Sequence, residues 1–113
     1  MRHAVERLLV AGGYPVASFP SAEAMLGSEA RRTAGCLILD VRLPGLSGLE
    51  LRQRLTAEGL NVPVIFMTAH DDPRTHAQAM AADPVAYLQK PFKGQELLAA
   101  VARALSGQGR RDA

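Results

Sequence analysis

Cys36-Leu37-Ile38-Leu39-Asp40-Val41-Arg42-Leu43-Pro44-Gly45-Leu46-Ser47-Gly48 decides the fold. Four apolar residues run unbroken into an aspartate, and a stretch held by Pro44, Gly45 and Gly48 reads as a loop. A strand that is apolar at every position is one buried on both faces, as in a parallel sheet lying between layers of helix. Asp40 then stands at the carboxyl end of its strand, where open parallel α/β sheets hold their ligands.

Downstream, Ser47 caps a helix that turns Leu51 and Leu55 inward and closes at Gly59. Val64-Ile65-Phe66-Met67 is a second buried strand and ends in Thr68. Asp72-Pro73 supplies an N-cap followed by proline at the first helical position. Val85 to Leu88 reads as the last strand and Lys90-Pro91-Phe92 as a loop. A final helix spans residues 94–105 with Leu97, Leu98, Val101 and Leu105 inward. Upstream, Val5, Leu8, Leu9 and Gly12 recur at helical spacing, so residues 2–11 form a helix ended by Gly12-Gly13. Tyr14 to Phe19 is a short strand candidate, and Ser21 caps a helix with Ala22, Met25 and Leu26 inward.

Strands alternating with helices make one α/β layer sandwich, and 113 residues have room for a single core. With 48% hydrophobic and 21% charged residues the chain has the balance of a soluble globular domain. No run of basic residues is interleaved with aromatics, so nucleic acid is not a direct partner. A lone cysteine, Cys36, excludes an internal disulfide and fits a reducing compartment. No apolar stretch approaches a membrane span and no signal-peptide order is visible, so the cytoplasm is expected.

Asp40, Thr68 and Lys90 each fall just past an apolar strand. Adjacent parallel strands lie about 4.8 Å apart, so a carboxylate, a hydroxyl and an ammonium would converge on one small site. A carboxylate can accept a phosphoryl group, a lysine can hold its oxygens, and a hydroxyl can hydrogen-bond one of them. Taken singly, each residue has a plainer reading: a turn cap, a β-former, a solvated charge.

The stretch from Leu37 to Gly48 resembles the phosphoacceptor strand and loop of response-regulator receiver domains. Val62-Pro63-Val64-Ile65-Phe66-Met67-Thr68-Ala69-His70 is similar to their fourth strand, and Tyr87-Leu88-Gln89-Lys90-Pro91-Phe92 to their fifth. The wording is closest to the NarL/FixJ-type two-component regulators, over about residues 2 to 105. The resemblance implies a flavodoxin-like doubly wound parallel sheet in the order 2-1-3-4-5. Residues 1–106 would form the receiver and 107–113 a flexible tail. It implies phosphorylation of Asp40 by a histidine kinase or phosphotransfer protein. Thr68 and Lys90 would hold the phosphoryl group, Thr68 and Tyr87 would act as switch residues, and a cis bond would precede Pro91. Mg²⁺ would be bound by Asp40 and the backbone carbonyl of Arg42. The family's output runs through a partner protein or a DNA-binding domain, which this sequence does not contain.

Two departures from that pattern stand out. The family's central first strand, with its acidic pair for Mg²⁺, has no counterpart in the sequence, so metal binding is expected to be weak. Removing about five buried apolar side chains forfeits roughly 7–15 kcal/mol, comparable with the whole stability of a domain, about 5–15 kcal/mol. A misassigned start, a fragment, or a sheet repaired by pairing the second and third strands or by strand exchange in a homodimer would each account for it. Asp83-Pro84 also replaces the usual Gly-Ala before the last strand. A degenerate receiver that serves only as an interaction module is therefore the alternative function. An aspartate-nucleophile phosphatase would need a second Asp where Arg42 stands, so the chain is not expected to be an enzyme. Asp71 and Asp72 lie near the site, with helix capping the expectation for Asp72. His3, His70 and His76 share no metal-ligand spacing.

Overall fold

The computed structural model describes residues 2–29, 33–41, 47–69 and 72–106. Along the chain run α1 (Arg2–Ala11), α2 (Ala22–Leu26), β1 (Leu37–Asp40), α3 (Gly48–Ala57), β2 (Val64–Thr68), α4 (Pro73–Ala81), β3 (Ala86–Gln89) and α5 (Gly94–Leu105). Local chemistry sets most of these boundaries. Ser47 and Glu50 form a reciprocal capping box at the start of α3, with bonds of 3.1 and 2.9 Å. Asp72 accepts from the Thr75 N–H at 2.7 Å, and Pro73 takes the first turn of α4, where its missing N–H costs nothing. α1 ends at Gly12, and Gly13 turns the chain away with φ of 92°, a conformation open mainly to glycine.

Three parallel strands form one sheet in the order β1-β2-β3. Leu37 pairs with Val64 and Asp40 with Met67, while Ile65 pairs with Ala86 and Thr68 with Gln89. β2 is central and buried at all five positions, and Phe66 and Ile65 have no exposure at all. Such a side chain contributes about 1.5–3 kcal/mol. Two apolar layers sandwich the sheet. One gathers Met25 of α2, Leu51 and Leu55 of α3, and Ala79 of α4 around Leu37, Leu39 and Phe66. The other packs Leu9 of α1 and Leu97, Ala100 and Val101 of α5 on Ile65. This is the α/β/α arrangement expected from the alternation of strands and helices.

Three sequence expectations need correction. Residues 14–19, expected as a strand, belong to no strand and no sheet. A strand persists only where a neighbour takes up its N–H and C=O groups. In the 2-1-3-4-5 order the neighbour of this segment is the first strand, and Pro15 and Pro20 offer no N–H in any case. The segment therefore lies along the molecule without a ladder, and direct pairing of the second and third strands does not repair the sheet. Leu105, expected inward, is 45% exposed; the buried stripe of α5 is Leu97, Ala100, Val101 and Ala104. β3, expected to be covered on both faces, is half-buried as the edge of the sheet.

Candidate functional site

β1 carries Asp40 to the end of the sheet, and β3 delivers Lys90 one residue past its own last position. Parallel register brings their ends together. The Lys90 N–H donates to the Thr68 carbonyl at 2.8 Å, which extends the β2–β3 ladder by one step. From there the Lys90 side chain reaches across β2, and its Nζ donates to Asp40 Oδ2 at 2.9 Å. Side-chain exposures of 14% for Lys90 and 29% for Asp40 put this pair at a shallow, partly desolvated surface, where charge attraction is stronger than in open water. Lys90-Pro91 is a cis peptide bond, as the resemblance implies.

Thr68 ends β2, one position beyond the Met67 that pairs with Asp40, and is 1% exposed. The carboxylate, hydroxyl and ammonium thus come from three adjacent strand ends, as their sequence positions require. Tyr87 lies lower on β3, half-buried against the layer that holds Met25 and Leu51. Its ring meets His76 of α4 edge-on, with centroids 4.8 Å apart and planes at 82°, a favoured aromatic geometry. Asp72 spends its carboxylate on the α4 cap. Arg42, His70 and Asp71 lie outside the described residues, so the expected carbonyl ligand of Arg42 has no structural account. Among the described residues no group of three or more His, Cys, Asp or Glu side chains could hold a metal ion. Nor is any helix of the described residues long and apolar enough to cross a membrane.

Two features of the site are not apparent in the sequence. Gly48, read as a loop glycine, begins α3 against the main chain of Asp40. A Cβ built there would overlap the Asp40 carbonyl oxygen and lie 3.2 Å from the carbonyl carbon. Only glycine lets the helix start so near the strand end. The His76–Tyr87 contact is the other, because eleven residues and a change of element separate the two rings.

Comparison with known proteins agrees with this geometry. The family profile of the response regulator receiver domain matches residues 1–102. Nodulation protein W of Bradyrhizobium diazoefficiens is 41% identical over 111 residues, which are 98% of this chain and 49% of that protein. The response regulator StyR superposes with a TM-score of 0.87 at 38% identity, covering 99% of this chain and 57% of that one. FixJ-N gives 0.83 at 33% identity, with 93% and 84% covered. The chain spans about half the length of the curated relatives it matches. Other relatives carry the names of regulators, among them the transcriptional regulatory protein TdiR of Thauera aromatica, 39% identical over 106 residues, and the resemblance to NarL/FixJ-type regulators holds. A three-stranded parallel sheet, an aspartate–lysine pair at its carboxyl end and a matching family profile together place the chain in the response regulator receiver family.

Proposed function

We propose that Asp40 accepts a phosphoryl group from the phosphohistidine of a cytoplasmic histidine kinase or phosphotransfer protein, and that this modification reshapes a partner-binding surface. The observation that carries the reading is the Lys90–Asp40 contact of 2.9 Å between residues fifty apart in the chain. In the transfer, a carboxylate oxygen of Asp40 attacks phosphorus and the P–N bond to the donor imidazole breaks. The electron pair leaves with that nitrogen, which ends as neutral imidazole or takes up a proton. Lys90 stays beside the new acyl phosphate and balances its added negative charge. Thr68, at the neighbouring strand end, is the hydroxyl within reach of a phosphoryl oxygen, and Tyr87 is the aromatic whose packing then changes.

Magnesium takes about six oxygens in near-octahedral array, usually with more than one carboxylate or a substrate phosphate. The described residues offer Asp40 alone at this place, already ion-paired to Lys90, and no acidic cluster. This set does not fit a tight magnesium site, so no step of the transfer is routed through the metal. The second reading is a receiver that binds its partner without being phosphorylated.

Incubation with acetyl phosphate, with and without Mg²⁺, separates the two. Intact-mass analysis should show the gain of one phosphoryl group, lost in Asp40→Asn and reduced at least tenfold in Lys90→Ala. No gain at any metal concentration in a folded chain refutes phosphoryl acceptance and leaves the interaction reading.

A further inference from the structure

Phe66 pairs with Tyr87 and Thr68 with Gln89. Side chains alternate along a strand, so Phe66, Thr68 and Tyr87 share one face of the sheet. Ala79 of α4 packs on that face with Phe66, which puts α4 on the same side as the tyrosine ring and the Thr68 hydroxyl. His76 stands one turn into α4. Its ring meets Tyr87 edge-on, with centroids 4.8 Å apart and planes at 82°. His76 is exposed and Tyr87 half-buried, so the imidazole meets the tyrosine from the solvent side.

The backbones that carry these two rings are fixed. At the start of α4 the Asp72 carboxylate accepts from the Thr75 N–H at 2.7 Å, and Thr75 itself is 3% exposed. At its end the Asp83 N–H donates to the Met80 carbonyl at 3.0 Å. Two residues on, the Val85 N–H donates to Val64 at 2.8 Å and joins the chain to β2. Tyr87 sits in the β2–β3 ladder. A turn of the tyrosine about its own side-chain bonds therefore parts it from His76, since the helix cannot follow. An aromatic pair of this geometry is strong enough to bias an equilibrium between two ring orientations by about two- to tenfold.

We propose, on the reading that Asp40 accepts the phosphoryl group and Tyr87 is a switch residue, that His76 is a positioning residue for Tyr87. Its ring holds the tyrosine in the orientation of the unphosphorylated chain. The orientation that accompanies the phosphoryl group is scarcer for it, and removal of the imidazole raises both the population of that orientation and the rate of phosphorylation.

The test uses the full chain with ¹³C-labelled tyrosine rings. Tyr14 and Tyr87 are its two tyrosines, so Tyr14→Phe assigns the signals. Acetyl phosphate should add one phosphoryl group by intact mass and abolish the nuclear Overhauser contact between His76 and Tyr87. The Tyr87 ring signals of the parent and His76→Ala should differ before phosphorylation and coincide after it. His76→Ala should gain the phosphoryl group about two- to tenfold faster than the parent. His76→Phe, which keeps an aromatic ring at the contact, should return the rate to that of the parent. Gln78→Ala, exposed on the same helix, should leave it unchanged. A phosphorylated parent that retains the His76–Tyr87 contact overturns the proposal alone, as does a parent rate in His76→Ala. No mass gain in the parent overturns the Asp40 reading and the proposal with it.

Discussion

Gly48→Ala probes how closely α3 is pressed on the strand end that presents Asp40. The new Cβ would overlap the Asp40 carbonyl oxygen, and it would lie 3.2 Å from that carbonyl carbon and 3.3 Å from Leu39 Cβ. The obstacle is main chain, and it is pinned: the next residue, Val41, donates to the Met67 carbonyl at 2.9 Å. Forcing an extra methyl group into packed structure costs about 1–3 kcal/mol, and a backbone obstacle places this case at the upper end. Against it stands the better helix propensity of alanine, up to about 1 kcal/mol in a helix interior and less at a first position. The expected net loss is about 2 kcal/mol, a large part of a domain's stability. Gly35→Ala is the matched control. Its Cβ would meet only Leu105 Cδ2 at 2.8 Å, the tip of an exposed side chain that can swing aside, so a loss under about 0.5 kcal/mol is expected. Urea unfolding followed by circular dichroism reads both. Equal stability of Gly48→Ala and the parent, or equal losses in the two variants, would refute the close approach.

Cys36 and Asp83 give two further expectations. Burial raises the Cys36 thiol from 9.0 to about 11, so the thiolate needed for alkylation is about a hundredfold scarcer at pH 8 in the folded chain than in the unfolded one. Iodoacetamide should label Cys36 correspondingly slowly until urea is added, and equal rates in both states would contradict the burial. The sign of the linked stability follows: the fold favours the neutral thiol, so its contribution is full below pH 9 and is lost as pH rises through about 11. Asp83 holds φ of 54° just before Pro84, in the left-handed region, where a non-glycine residue carries strain of roughly 1 kcal/mol. Asp83→Gly should raise the urea midpoint by the equivalent of about 0.5–1 kcal/mol, and a lower midpoint would show that the aspartate side chain contributes more than its backbone costs.

Signals carried within a few residues are readable: the apolar runs of β1 and β2, the Ser47 cap and the Asp72-Pro73 start of α4 all fall where they are expected. The meeting of Asp40 and Lys90 is also legible, because parallel strands of similar length must deliver their carboxyl ends to one place, with Thr68 at the strand end between them. What was hidden depends on neighbours distant in sequence. Nothing in the residues around Gly48 says that a carbonyl oxygen of β1 will lie against it. The Tyr14–Phe19 segment has strand-like composition, yet strand formation is decided by a partner, and β1 lies across a cleft from it. Leu105 follows the helical period of α5 correctly, but its turn of the helix faces that same cleft. These two misreadings border one cleft. Local periodicity therefore tells which face a residue turns but not whether another element meets that face: 14–19 and Leu105 border the cleft beside β1, and β3, at the far edge of the sheet, is only half-buried.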